Sequence, residues 1–315
     1  MAEVWVIVLL VILCLIVIVL NSICIYVIVK TPSLHQHSVY AIANLLSIHL
    51  LQGLFVIPAY IVKRFEIKQK SISGPVCDWF RLSYMITNYA ACLTLLLMTA
   101  DRLCAIKWPL VYRANATTSK IAVAIAGIWM YVIALCVIPF FNDGPSRSGC
   151  HYRPSKEWSI AMLSVNTFLP MILIICFYVV IFVTARYSRH CATIENQTLV
   201  AIRIAKISAA VISTFLLCWG PSFVYYFLMS VCPTCFSSSY NNSTTEKTMT
   251  FLMKFLTFLD GVFAPVIYCL NHRGFQSGFQ SFKKYVTGAF HSQEEREALR
   301  SNEDGSIPRT QIEMK

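Results

Sequence analysis

Seven long apolar stretches, each ended by a short polar run, set the pattern of this chain. They cover Val4–Val29, Val39–Val62, Cys77–Cys104, Ile121–Phe140, Ile160–Val183, Leu199–Val231 and Met249–Leu270. A helix needs about 20 apolar residues to cross the hydrocarbon of a bilayer. Backbone groups in lipid must be satisfied inside their own segment, so the stretches predict helices rather than strands. Few connectors exceed about 15 residues, which predicts one compact bundle over 1–285. Phe275 and Phe279 fit a short amphipathic helix at about 273–285, and the polar, mixed-charge run 286–315 reads as a disordered tail. The first stretch opens MAEV with no basic residue and no small-residue cleavage pattern, so it reads as a retained helix rather than a signal peptide.

Composition agrees. The 315 residues are 57% hydrophobic and 13% charged, against roughly 45–50% and 25% in soluble domains, and the mean hydropathy is +0.62. The fold class is therefore an all-α membrane protein. Basic residues cluster after the first, third, fifth and seventh stretches (Lys30, Arg102, Lys107, Arg186, Arg189, Arg273, Lys283), which makes that side cytoplasmic. A second cluster opposite (Lys63, Arg64, Lys68, Lys70) weakens the bias without reversing it. The N-terminus is then extracellular, the C-terminus cytoplasmic, and the protein a multi-pass resident of the plasma membrane. The isoelectric point of about 9.1 belongs to these flanks, not to a nucleic-acid surface. Most of the thirteen cysteines sit mid-stretch as small apolar residues. Cys77, Cys150, Cys232 and Cys235 fall on the outer side, where disulfides persist, as do the sequons at Asn241 and Asn242. No metal-ligand spacing, nucleophile elbow or phosphate loop is present, so neither an enzyme nor a cofactor is expected. Neither the repeats of a transporter nor the Lys of a retinal pump is found.

One stretch, LLLMTADRLCAIKWPL, ends in an adjacent Asp101–Arg102 pair. It resembles the DRY motif of the rhodopsin-like G-protein-coupled receptors, and further resemblances follow in order. Asn21 lies in LNSICIYV, NLLSIH is similar to the second-helix pattern, and Trp129 with Pro139 matches the fourth helix. Pro170 and Tyr178 match the fifth, FLLCWGP (Phe215 to Pro221) the sixth, and APVIY (Ala264 to Tyr268) is NPxxY with its first letter changed. The resemblance implies a seven-transmembrane bundle with a short eighth helix, an extracellular small-molecule ligand, a heterotrimeric G protein as partner, and arrestin and membrane lipid as further partners. It also implies roles. Asp101 holds Arg102 at rest. Pro221 makes a hinge with Trp219 beside it, and Pro265 sits in the seventh-helix motif. Tyr178 and Tyr268 meet near Arg102 on activation. Cys77 pairs with Cys150 to fix the outer lid, and CPTC (Cys232–Cys235) closes a small ring.

Departures from the family pattern narrow the ligand. The third-helix Asp that pairs with monoamines is Tyr84, the Lys that carries retinal is Phe258, and the adenosine-binding Asn is Tyr226. The outline of an adenosine-like receptor therefore comes without its ligand residues. The predicted pocket holds Arg81, Tyr84, Asn88, Tyr152, Trp219, Tyr226 and Lys254, and its excess of positive charge points to a ligand with an acidic group. The plain alternative is that these cations snorkel or bind lipid headgroups. The family's sodium site is altered to Asn21, His49, Ala91, Asp260 and Ala264. His49 and Asp260 are expected to pair and sodium to have no effect; a neutral His49 bonded to Asn21 is the alternative. Because of His49 and Ala264, a non-signalling decoy or partner seven-helix protein stands beside the receptor reading.

Overall fold

The computed structural model describes residues 2–69, 74–143, 156–190, 196–232, 243–272 and 274–284. Among them, seven helices are long and apolar enough to cross a membrane. In chain order the spans are Ala2–Lys30, His37–Leu51 continuing to Gln69, Gly74–Lys107, Thr118–Asp143, Lys156–Leu163 continuing to His190, Asn196–Val231, and Ser243–Asn271. They are called here the first to seventh spans. The helices run a few residues beyond the apolar stretches, because a helix continues into the headgroup zone where polar side chains meet water. A short helix, Pro109–Asn115, follows the third span, with Pro109 at its first turn, where a missing N–H costs nothing. A final helix covers 274–284. The end of the bundle bearing Arg102 is called inner, after the charge bias above.

Two spans carry a turn of π-helix. Gln52–Val56 interrupts the second and Ser164–Phe168 the fifth. Each lies just before a proline, Pro58 and Pro170. A proline has no N–H for the carbonyl four residues back, and its ring crowds that carbonyl, so a widened turn absorbs the misfit. Pro221 and Pro265 instead stand inside unbroken helices.

The third span is the hub. About 61% of its apolar window is buried, against 11% in the fourth, whose sides face outward as Val123 and Met130. That is the order expected when lipid rather than water surrounds the bundle and packing alone drives helix association. Small residues permit the closest approaches. A Cβ at Gly53 would stand 2.8 Å from Ile18 Cγ1, and one at Gly278 would stand 2.6 Å from Val27 Cγ1. The second contact seats the final helix against the inner end of the first span.

Candidate functional site

The polar groups lie at three depths along one aromatic column. At the outer depth, Lys254 of the seventh span is only 7% exposed. Its ammonium sits 3.4 Å from the ring centre of Tyr84, 4.7 Å from Tyr226 and 5.8 Å from Phe80. No carboxylate of the described residues lies within ion-pair distance of it. Lys63 adds a second ammonium 5.0 Å from the Phe80 ring. The Arg81 guanidinium lies 3.5 Å from Asp78, one turn back on the same helix, which neutralises part of its charge. Asn88 is buried, and its Oδ1 has no hydrogen-bond partner among the described residues. Tyr152, Cys150, Cys235, Asn241 and Asn242 lie outside the described residues. Cys77 and Cys232 are both disulfide-bonded.

The column descends from Phe80 to Tyr84 (5.6 Å), to Trp219 (5.8 Å) and to Phe215 (5.7 Å). Trp219 connects it to the middle depth. Its indole Nε1 donates to Asp260 Oδ2 at 3.2 Å, and His49 Nε2 stands 3.3 Å from the same oxygen. The imidazole is near enough for an ion pair but is not aligned as a hydrogen bond. All three side chains are buried. Asn21 does not turn to His49; its amide donates to the carbonyls of Val17 (2.8 Å) and Gly261 (2.9 Å), tying the first span to the seventh. Ala91 and Ala264 are fully enclosed methyl groups, so they contribute packing and no polarity.

At the inner depth Arg102 is 5% exposed and bonded to Asp101 through both Nε (3.0 Å) and Nη2. Tyr112, on the short helix Pro109–Asn115, donates to the other carboxylate oxygen at 2.8 Å. With its proton so committed, the Tyr112 oxygen lies 2.8 Å from His37 Nε2 at the start of the second span and 3.5 Å from Arg102 Nη2. Burial and the adjacent Asp101 charge raise the Tyr112 pKa, so the phenol keeps the proton it donates. Tyr178 and Tyr268 do not meet here. The Tyr178 hydroxyl donates to the Ala205 carbonyl at 3.4 Å, and the Tyr268 ring stacks on Phe275 at 5.8 Å. Beside Arg102 is a cavity of about 10 Å³ lined by Asp101, Arg102, Ser208 and His272. Burial, and then the charge of Arg102, lower the His272 pKa.

Sequence reasoning missed Tyr112, His37 and His272. A signal was present for the first: Trp108–Pro109 starts a new helix, and three residues on, one turn later, Tyr112 faces back toward Asp101. His37 and His272 are brought in only by packing.

Comparison with known proteins agrees with this geometry. The 7 transmembrane receptor (rhodopsin family) pattern matches residues 20–268. The human histamine H2 receptor is 22% identical over 253 residues, covering 76% of this chain and 68% of that receptor. The octopamine receptor beta-2R of Chilo suppressalis is 21% identical, covering 77% and 70%. The RYamide receptor of Drosophila melanogaster is 20% identical, covering 84% and 60%.

Proposed function

Because the chain belongs to the rhodopsin family of seven-transmembrane receptors, we propose that it transmits the binding of an extracellular small molecule with an acidic group to a heterotrimeric G protein. It is a multi-pass membrane protein, and its relatives are receptors, not enzymes. The observation that carries the ligand reading is Lys254. Burying an ammonium costs several kcal/mol even after relaxation. Contact with aromatic faces returns about 2 kcal/mol when desolvated. A carboxylate or phosphate from a ligand supplies the missing counter-charge, and Lys63 beside the same Phe80 ring strengthens its pull.

The names of the relatives mention histamine and octopamine, both amines. That chemistry does not carry over. A ligand ammonium needs an anion or free aromatic faces, whereas here Tyr84 and Tyr226 already face the chain's own cation.

The coupling reading rests on the inner depth, where Arg102 is held by a partner it can leave. The plasma membrane, with the Arg102 end toward the cytoplasm, is the setting this requires. The test uses cells expressing the chain, the Lys254→Ala variant and the Arg102→Ala variant at matched surface levels. Cyclic AMP and calcium are followed during exposure to small carboxylates, phosphate esters and amines. An acid that signals through the wild-type chain, with loss in both variants, is expected. A response to amines that survives Lys254→Ala sinks the ligand reading.

A further inference from the structure

Two thiols are in contact where the first span meets the seventh. Cys24 Sγ and Cys269 Sγ lie 3.3 Å apart, with Cys24 buried and Cys269 partly exposed. None of the other free cysteines among the described residues touches a second thiol. A disulfide holds its sulfurs at about 2.05 Å, so closing this gap needs a movement of roughly 1.3 Å, within the reach of side-chain rotation. The contact is close to the inner surface. Cys269 is two residues from the end of the seventh span at Asn271, and Cys24 is six residues from Lys30. At 1.5 Å per residue the second offset is roughly 9 Å.

The position has a mechanical meaning. Cys24 Sγ is also 3.9 Å from the carbonyl oxygen of Pro265, and the residue before Cys269 is Tyr268, stacked on Phe275. A rearrangement in which the inner end of the seventh span carries Tyr268 off that stack and toward Arg102 moves this turn relative to the first span.

We infer that Cys24 and Cys269 form an oxidisable pair, which a hydroperoxide converts to a disulfide that staples the seventh span to the first and keeps Tyr268 on Phe275. Cys269 is the less buried of the two thiols and the nearer to the inner end of its span, so its thiolate attacks one peroxide oxygen. A sulfur–oxygen bond forms, the oxygen–oxygen bond breaks, and hydroxide leaves to take up a proton as water. The result is a sulfenic acid. The Cys24 sulfur then attacks that sulfur, the sulfur–sulfur bond forms, the sulfur–oxygen bond breaks, and a second water leaves. Both sulfurs are oxidised, one hydrogen peroxide is reduced, and the two thiol protons end in water. In a reducing cytoplasm the pair rests as thiols, so the staple is transient and reversed by dithiols. The chemistry stands independently of the proposed function; only its consequence for coupling rests on that reading.

The test uses the full chain in lipid nanodiscs as wild type, Cys24→Ser, Cys269→Ser and Cys176→Ser, the last being a lone exposed thiol. After hydrogen peroxide, remaining thiols are alkylated and the peptides are weighed. A linked Cys24–Cys269 peptide lacking two hydrogens is expected in wild type and Cys176→Ser. It should be absent from the other two variants and removed by dithiothreitol. Recovery of both cysteines as alkylated thiols, or of Cys269 as sulfinic acid with Cys24 untouched, overturns the pair. In parallel, peroxide should abolish nucleotide exchange on an added G protein for wild type, reversibly, but not for Cys269→Ser. A staple that forms with exchange unchanged overturns the hold on Tyr268. A complete lack of exchange before peroxide refutes the coupling reading instead, while the peptide masses still decide the staple.

Discussion

Tyr112→Phe is the sharpest probe of the inner latch. The substitution removes one oxygen and leaves the ring, so the short helix Pro109–Asn115 keeps its packing against His37, whose ring centre is 5.4 Å from that of Tyr112. What is lost is the hydrogen bond to Asp101 Oδ1 at 2.8 Å, together with the contact to His37 at 2.8 Å. A hydrogen bond to a charged group contributes about 1.5–3 kcal/mol, and Tyr112 is only partly buried, so the lower end applies. About 1.4 kcal/mol is a tenfold change in an equilibrium. The carboxylate that Tyr112 steadies is the one that holds Arg102, so the open-latch population should rise about tenfold. The assay is basal nucleotide exchange by a purified G protein with receptor in nanodiscs and no ligand added. Tyr112→Phe should exchange faster than wild type by up to that factor, and Asp101→Asn faster still. An unchanged Tyr112→Phe beside a raised Asp101→Asn would make the phenol a bystander. Two unchanged variants would remove the latch altogether.

Three further outcomes follow from the geometry. His49→Ala leaves Asp260 buried with the Trp219 indole as its one remaining side-chain partner among the described residues, a loss of about 1–3 kcal/mol for a buried polar group deprived of a neighbour, so the melting temperature should fall. His49→Leu with Asp260→Leu should recover most of it, and equal losses in the single and double variants would contradict an interacting pair. For His272, burial and the Arg102 charge depress the folded-state pKa below the ordinary value of about 6.5. The folded state therefore loses stability as pH falls from that value through the depressed one, because the unfolded chain takes up the proton first. Melting curves between pH 8 and pH 5 should show that loss flattened in His272→Gln, and parallel curves would refute it. Gly278→Ala should loosen the final helix, since its Cβ would stand 2.5 Å from Thr31 Oγ1 and 2.6 Å from Val27 Cγ1. Both are stiff, branched neighbours. Faster amide exchange over 274–284 is the expected reading.

The spans were legible because lipid leaves a chain few choices. Length and apolar content fix the helices, and every span appears where an apolar stretch stood. The π turns were not legible from periodicity, because one extra residue in a turn shifts register without changing composition. Pro58 and Pro170 mark them only in retrospect. Within the site, the closeness of His49 and Asp260 was anticipated from the positions at which the chain departs from the family pattern. That Trp219 donates to the same carboxylate oxygen was not, since it depends on where the sixth and seventh spans cross. The Arg81–Asp78 contact is also legible, since the two stand three residues apart, a spacing that places both side chains on one helix face. Tyr112 lies in a segment that the apolar pattern passes over, where a single turn of helix makes the contact.

The small cavity beside Arg102 bears on permeability. A water molecule needs about 10–15 Å³ of such space, and this cavity offers about 10 Å³. The inner end is thus at the threshold of admitting a single water, let alone a hydrated ion. Seven helices enclosing buried ionisable side chains at three depths, Lys254, Asp260 and Arg102, are otherwise the makings of a leak path. Arg102 and Asp101, bonded to each other, line that cavity and leave it no larger. An opening at this end lets a solute column approach Asp260 unless another molecule occupies the gap, so the cost of a leak favours opening only onto a partner that fills it.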